Sequence, residues 1–252
     1  MFHLFLFYQL YRIFAPKMKY SKYAILLIPL TFTILSVNGY GFLYRGAVSA
    51  SCALILWFMS EHAANHSIRW VMAALLISIA GDWFMSHIGG VPVRFIYGVG
   101  LFFVAHVCFL CFCLKNGRIN KYLLLFVLAL FLTFFFTALL PALLSHAALF
   151  VAVLCYLLIS CLSLSAAAGL RLSSLTRWLF SFGIALLLFS DTLIALGSFA
   201  GYPQLRFLIL PTYFLSHIFI TMALIKSLSS CKIFKRCESY TPLCCLLFPI
   251  FL

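Results

Sequence analysis

Acidic residues are almost missing from this chain. Only four of its 252 residues are Asp or Glu, and charged residues of both signs make up 8% of the sequence. A soluble domain carries charge on about a quarter of its residues, so this composition excludes an ordinary soluble fold. Apolar residues take the place of charge, because 66% of the chain is hydrophobic. The composition indicates a protein that lies within a lipid bilayer.

The apolar residues form runs that are long enough to cross a membrane, for which roughly 20 residues suffice. The runs are uninterrupted Leu, Phe and Ala stretches rather than the alternating pattern of a membrane β-barrel. Short segments rich in Gly, Pro or polar residues separate them. We predict an all-α membrane protein with about eight transmembrane helices, at residues 23–40, 44–60, 68–85, 92–114, 121–140, 143–164, 174–196 and 206–228.

Long linkers are also missing, so the spans form a single predicted domain. We assign residues 23–228 to this transmembrane domain. Residues 1–22 are a flanking segment, too short to span, that lies along the interface in this interpretation. Either Met1 or Met18 is a plausible biological start. Residues 229–252 form a cysteine-containing tail.

The basic residues are distributed unequally between the two sides of the predicted bundle. Of 17 Lys and Arg residues, Arg45, Arg94 and Arg206 fall on one side and the other 14 on the opposite side. Basic loops stay in the cytoplasm, so we expect both termini to be cytoplasmic, in the cell (inner) membrane if the protein is bacterial. The basic residues are scattered among short loops, and this dispersal argues against nucleic-acid binding.

Two stretches of the sequence are similar to each other. In each, an Asp near the end of a span is followed by a Gly-containing turn and a helix with a His: Asp82 with His106, and Asp191 with His217. The pattern predicts a four-plus-four parallel repeat. Both aspartates then lie about two thirds of the way across the bilayer, given a rise of about 1.5 Å per residue, and open toward the outer half.

An aspartate within a membrane helix needs a compensating interaction. Its insertion costs about 2.5–3.5 kcal/mol at the helix centre. One explanation is structural pairing with Arg94, Arg206 or a histidine. Another is a shared polar cavity in which one carboxyl is protonated and the other ionised. Such a pair suits general acid catalysis and, equally, proton relay in a transporter.

Four short motifs surround these aspartates. They are a Gly-Asp pair, a Gly-x-x-x-Phe-x-x-x-His helix, a Ser-Asp pair and a Tyr-x-x-x-His helix: Gly81 and Asp82; Gly98, Phe102 and His106; Ser190 and Asp191; Tyr213 and His217. In order and spacing these motifs resemble the lysoplasmalogenase family of YhhN-like membrane proteins, over about residues 20–228. A Lys-Pro pair of that family near the second span is absent from "RGAVSASCALILWF", where Arg45 is the one basic candidate.

The resemblance implies hydrolysis of the vinyl-ether bond of a lysoplasmalogen, which releases a fatty aldehyde and a glycerophospho-alcohol. Vinyl ethers hydrolyse by protonation of the β-carbon and capture of an oxocarbenium ion by water. Two carboxyls can catalyse such a reaction, as they do in glycoside hydrolysis. We expect Asp82 and Asp191 to share the acid and the stabiliser or base roles, without a metal or other cofactor.

Five further residues are candidates for substrate binding or for tuning the carboxyls. Tyr213 is predicted level with Asp191 to orient water or a headgroup, or else is an interfacial aromatic. Arg94 and Arg206, at the outer boundary, hold a phosphate or simply reach toward the interface. His106 and His217 lie deeper and either tune the carboxyls or join helices.

A metal site has weak support in the sequence. The pair His62 and His66 has a spacing that can bind metal on a helix, but Glu61 is the one nearby third ligand.

The leading hypothesis is therefore a membrane hydrolase that acts on a lysophospholipid within the bilayer, among other membrane lipids. A small proton-coupled transporter is the alternative from another class, because paired membrane acids and parallel repeats also occur there. A third hypothesis keeps the family fold with a different lipid substrate.

Overall fold

The computed structural model describes residues 21–60, 67–87, 89, 92–144 and 147–244. This part of the chain contains helices and no strand, which confirms the all-α class. Its principal helices, numbered in chain order, are α1 (Leu27–Val37), α2 (Phe42–Ser60), α3 (Ile68–Ser86), α4 (Pro92–Asn116), α5 (Lys121–Phe134), α6 (Ala147–Ala168), α7 (Ser174–Phe199) and α8 (Ile209–Cys244). The pair His62 and His66, the segment before residue 21 and Cys245 lie outside the described residues.

Seven helices in the described ranges are long and apolar enough to cross a membrane. The first predicted span, 23–40, is instead a shorter apolar stretch over Lys22–Val37, in which a turn at Ile25 and Leu26 separates Ser21–Ala24 from α1. Its length falls short of the roughly 20 residues that a bilayer requires. Two glycines with positive φ, Gly39 (89°) and Gly41 (94°), then turn the chain into α2.

The junction between the fifth and sixth spans differs from the prediction. The helix does not end near residue 140 but continues through a π-helical turn, Phe135–Leu139, and a last turn, Leu140–Leu143. Pro141 explains the irregular turn, because its ring nitrogen cannot donate the hydrogen bond that a regular helix needs. At the other end of the chain α8 runs beyond the predicted limit of residue 228, as far as Cys244.

Pairwise packing of the helices builds the bundle. The two most extensive helix contacts in the described chain are α3 with α4 and α7 with α8, the pairs that the sequence similarity relates. Many large apolar side chains face outward, among them Leu43, Leu125 and Trp178. An outward apolar surface is costly in water and suits lipid contact.

The loops at the basic end of the bundle are joined by backbone hydrogen bonds. Arg118 N donates to Gly169 O at 3.1 Å, and Arg171 N donates to Asn116 O at 2.9 Å. The α4–α5 loop is thereby fixed against the α6–α7 loop. The opposite end, where α3 and α7 finish and α4 and α8 begin, is left open around a cavity.

Candidate active site

The cavity lies at the end of the bundle opposite the basic loops and has a volume of about 410 Å³. Residues from five helices and from the 3₁₀ turn Pro203–Leu208 line it. Both intramembrane aspartates are among them, as the repeat predicts. The lining is formed by Arg45, Asp82, Met85, Ser86, Phe95, Phe102, Ser190, Asp191, Ile194, Ser198, Arg206, Ile209, Leu210 and Tyr213.

Asp82 faces the cavity from the end of α3. It is 8% exposed, and Tyr213 on α8 donates its hydroxyl to Asp82 Oδ2 at 3.2 Å. Tyr213 is itself buried, with its ring edge-to-face with Phe102 at 5.9 Å. It therefore faces the cavity, and it contacts Asp82 rather than Asp191, the aspartate at whose level the sequence places it.

Asp191 faces the same cavity from α7 and has a different set of partners. Tyr156 on α6 donates its hydroxyl to Asp191 Oδ2 at 2.6 Å, and His106 Nε2 on α4 lies 3.6 Å from the same oxygen. The preceding residue, Ser190, donates to the carbonyl of Ile209 at 3.0 Å and so holds the start of α8. In the Ser-Asp motif the serine joins helices and the aspartate faces the cavity.

The two histidines lie behind the cavity, each next to one of the tyrosines. His106 is 1% exposed, and its ring packs edge-to-face on Tyr156 at 5.4 Å. His217 is fully buried, packs on Tyr213 at 4.6 Å and shares a hydrogen bond of 3.0 Å with Ser49 through Nδ1. His217 therefore supports the tyrosine that contacts Asp82, whereas His106 both packs on Tyr156 and lies beside Asp191.

The three arginines of this end occupy different positions. Arg45 lines the cavity, donates to Ser86 Oγ at 3.1 Å and has a buried Nε without a hydrogen-bond partner. Arg206 also lines the cavity and donates to Gly197 O at 2.9 Å. Arg94 instead donates to His87 O at 2.7 Å, in the α3–α4 turn, outside the cavity lining. Of the predicted phosphate ligands, one therefore faces the cavity and the other does not.

Neither aspartate forms an ion pair with an arginine in the described part of the chain, so Arg94 and Arg206 are not their structural partners. Of the pairings that the structural explanation allows, the described residues show His106 beside Asp191, at 3.6 Å. Arg45 lines the same cavity as Asp82. The direct partners of the carboxyls are neutral tyrosine hydroxyls and a histidine.

Two glycines of the motifs allow α3 and α4 to approach closely at the cavity. A Cβ at Gly81 would lie 2.8 Å from Phe102 Cε1, and a Cβ at Gly98 would lie 2.8 Å from Met85 Sδ. Any side chain at Gly81 would therefore displace the ring that supports Tyr213. The Gly-Asp pair sets both the packing and the position of the carboxyl.

A smaller cavity, which we call the apolar slot, lies beside the main cavity between α4, α6 and α7. Its volume is about 50 Å³. Beyond the residues that it shares with the main cavity it is lined by Val99, Val153, Tyr156, Ala195 and Phe199. Asp191 lines both cavities, whereas Asp82 lines the main cavity alone.

Tyr156 is not among the residues that the sequence predicts for the site. Arg45 is named there only as the basic candidate in place of the family's Lys-Pro pair. Tyr156 stands in the run "LFVAVLCYLLIS", where no acidic or basic neighbour marks it. Its separation from Asp191 by 35 positions becomes a contact only through the packing of α6 on α7. A tyrosine in the middle of a span, away from both interfaces, was the available signal.

The helical bundle, its outward apolar surface and its cavity with two aspartates define an integral, multi-pass membrane protein. The YhhN family model matches residues 44–224, which includes both aspartates and every candidate residue of the cavity, and the chain belongs to this family.

Two curated relatives, both named lysoplasmalogenase, come from Mycobacterium bovis and Mycobacterium tuberculosis. Each is 37% identical to this chain over 65 residues, or 25% of this chain and 24% of the relative. The chain thus aligns with about a quarter of the length of the curated relatives that it matches. No solved structure matches this chain.

Proposed function

We propose that this protein hydrolyses the vinyl-ether bond of lysoplasmalogens to a fatty aldehyde and a glycerophospho-alcohol. The observation that carries the proposal is that Asp82 and Asp191 face one cavity, each with a tyrosine hydroxyl on one carboxyl oxygen. The name of the mycobacterial relatives supports the same reaction class.

The chemistry of a vinyl ether explains why two carboxyls suffice. A protonated carboxyl adds a proton to the β-carbon of the double bond, and positive charge develops on the α-carbon and the ether oxygen. A carboxylate beside that charge stabilises it and takes a proton from the attacking water, as in enzymes that pass through a similar cation. Asp82 and Asp191 are the catalytic pair in this proposal.

In this proposal the two arginines of the cavity bind the headgroup of the substrate. Arg45 and Arg206 are cations with several N–H donors each, and guanidinium groups bind phosphate through paired hydrogen bonds. Each donates a hydrogen bond within the protein, Arg45 to Ser86 Oγ and Arg206 to Gly197 O, and a guanidinium has further N–H groups for such a contact. A lysolipid would then place its phosphate toward the mouth and its ether bond between the aspartates.

The test compares three lysophospholipids with the same chain and headgroup and with a 1-alkenyl, a 1-alkyl or a 1-acyl linkage. Purified protein in detergent should release aldehyde from the alkenyl lipid and leave the alkyl lipid intact, because the saturated ether has no carbon to protonate. Equal cleavage of the acyl lipid would indicate an ordinary lysophospholipase. No release from any of the three would reject the vinyl-ether reaction and leave the transporter and a different lipid substrate as the alternatives.

A further inference from the structure

The main cavity and the apolar slot share Met85, Phe95, Phe102, Asp191 and Ile194, so that of the two aspartates Asp191 alone lines both. On the side of the main cavity lie Arg45, Arg206 and Asp82. On the side of the apolar slot the lining is hydrophobic apart from Asp191 and the hydroxyl of Tyr156, which is bonded to Asp191. A ligand that extends through both would need one polar end and one hydrocarbon end.

We infer that the hydrocarbon chain of the substrate leaves the main cavity through the apolar slot, and that Asp191 is the acid that protonates the double bond. The inference deepens the proposed function and depends on it for the identity of the substrate. It assigns the slot to an alkyl chain and gives each aspartate a separate role.

Part of the slot lining is incompletely buried within the bundle. Val99, Ala195 and Phe199 are only partly buried, and the first turn of α4 is bridged to the last turn of α7 by the rings of Phe95 and Phe199, 5.6 Å apart and edge-to-face. A slot of about 50 Å³ holds only the first carbons of a fatty chain. In this inference the remainder of the chain extends past the partly buried Val99 and Ala195 into the bilayer.

The order of atoms along the substrate then assigns the carboxyls. From the chain toward the phosphate, the β-carbon comes first, then the α-carbon, then the ether oxygen. With the chain in the slot, the β-carbon lies beside Asp191. The α-carbon and ether oxygen, where the positive charge develops, lie in the main cavity with Asp82.

The resulting cycle balances without any further reactant than water. Asp191 gives its proton to the β-carbon, and Asp82 takes a proton from the water that bonds to the α-carbon, which yields a hemiacetal. Asp82 returns this proton to the ether oxygen as the bond between that oxygen and the α-carbon breaks. Asp191 takes the hydroxyl proton of the hemiacetal as the aldehyde C=O forms, and both carboxyls regain their starting state.

The slot is tested first by photocrosslinking, which needs no turnover. The probe is a 1-alkyl lysophospholipid with a diazirine within the first few chain carbons, and crosslinked peptides are identified by mass spectrometry. We expect crosslinks at Val99, Val153 or Ala195. Crosslinks confined to other faces of the bundle overturn the slot, whether or not aldehyde is released from the alkenyl lipid. Crosslinks in the slot without aldehyde release support the slot and count against the proposed function.

A bulkier side chain in the slot should impair the binding and cleavage of lysolipids with a long hydrocarbon chain more than those of short-chain analogues. Ala195→Phe places a ring in the slot, and Ala185→Phe is a matched change on the same helix at a residue that lines neither cavity. Ala195→Phe should reduce crosslinking and kcat/KM for a long alkenyl chain about tenfold or more, with a three-carbon propenyl analogue much less affected. Val99→Phe fills the slot from α4 if Ala195→Phe folds poorly. Equal effects on both chain lengths in both variants, or no effect, overturn the inference.

The role of each aspartate is tested by binding. A 1-alkylamino analogue places a positive nitrogen at the ether oxygen, and the 1-alkyl ether is its neutral control. Asp82→Asn should weaken the amine relative to the ether by roughly tenfold or more, because it removes a buried negative partner. Asp191→Asn should leave this ratio unchanged, because a protonated acid is already neutral. The reverse pattern overturns the assignment of Asp191 as the acid.

Discussion

At the scale of single residues, the partners of the two aspartates leave each carboxyl able to change its protonation state. An arginine in direct contact would hold a carboxyl in its charged form. A tyrosine hydroxyl can donate both to a carboxylate and to the carbonyl oxygen of a protonated carboxyl. Tyr213 and Tyr156 provide such donors to Asp82 and Asp191. Neither carboxyl is thus held in its charged form by an arginine, as the proton transfers of the proposed function require.

Replacing either aspartate by asparagine should abolish turnover while the protein still folds and inserts. Asn keeps the size of the side chain but cannot deliver a carboxyl proton or hold negative charge, and general acid–base catalysis contributes about 10²–10⁴-fold. Because the two carboxyls act together, the double variant of Asp82 and Asp191 should be little worse than the poorer single variant. Aldehyde release, yield and detergent melting temperature are measured together. Near-wild-type turnover of one variant would remove that aspartate from the mechanism.

Loss of a tyrosine hydroxyl that bonds one of the aspartates should lower turnover less than loss of the carboxyl does. It should lower turnover more than loss of a tyrosine hydroxyl elsewhere. Tyr156→Phe and Tyr213→Phe each leave a buried carboxyl without its donor, at a cost of about 1–3 kcal/mol. We expect kcat to fall by roughly tenfold to a hundredfold in each. Tyr122→Phe is the matched control, because Tyr122 is 90% exposed on α5. A loss of equal size in Tyr122→Phe would point to a general effect on the protein.

At the scale of helices, the close contact of α3 with α4 places the site. Gly81 lets Phe102 pack against α3, and Phe102 in turn supports the ring of Tyr213 on α8. These contacts fix α3, α4 and α8 relative to one another next to Asp82. The geometry of the carboxyl depends on a residue that has no side chain.

Gly81→Ala should therefore lower both stability and activity. The added methyl overlaps the Phe102 ring, and overpacking of this kind typically costs 1–3 kcal/mol. Gly100→Ala on α4 is the matched control, since its Cβ would meet nothing within 4 Å. We expect a lower melting temperature and slower aldehyde release for Gly81→Ala alone. Equal melting temperatures for the two variants would show that the close approach of Gly81 to Phe102 does not stabilise the fold.

The sequence predicts where the helices lie along the chain better than it predicts which face of each helix points into the bundle. Apolar length marked the spans, and the spacing around Asp82 and Asp191 was enough to place both at one level. Arg94 and Arg45 could not be distinguished in the same way, because both stand at a span boundary and nearly every helix face is apolar. Which of them faces the cavity depends on helix packing, which brings α2 against α3 and turns Arg94 toward the α3–α4 turn.

At the scale of the whole molecule, the cavity lies at the end of the bundle that carries few basic residues. The end that holds the cavity carries Arg45, Arg94 and Arg206, and the other 14 of the 17 basic residues belong to the opposite end and the flanking segments. Positively charged loops are retained in the cytoplasm. The cavity would then open toward the outer half of the membrane, where it meets lipids of the outer leaflet.

This orientation predicts opposite labelling of the two ends of α7. Ser198→Cys and Ser174→Cys are matched changes of exposed serines, the first in the cavity lining and the second beside the basic α6–α7 loop. The background replaces the cysteines of the tail by serine: Cys231, Cys237, Cys244 and Cys245. A membrane-impermeant maleimide should label Ser198→Cys in intact cells and Ser174→Cys only after permeabilisation.

The outcome bears on the source of the substrate as well as on topology. Labelling of Ser198→Cys from outside means that the site receives lysolipid from the outer leaflet, and that the aldehyde is released there. The opposite pattern would turn the cavity toward the cytoplasm and contradict the basic asymmetry as the determinant of orientation. A reporter fused after residue 118 provides an independent check, because the α4–α5 loop is basic and should remain cytoplasmic even if the short α1 does not cross the bilayer.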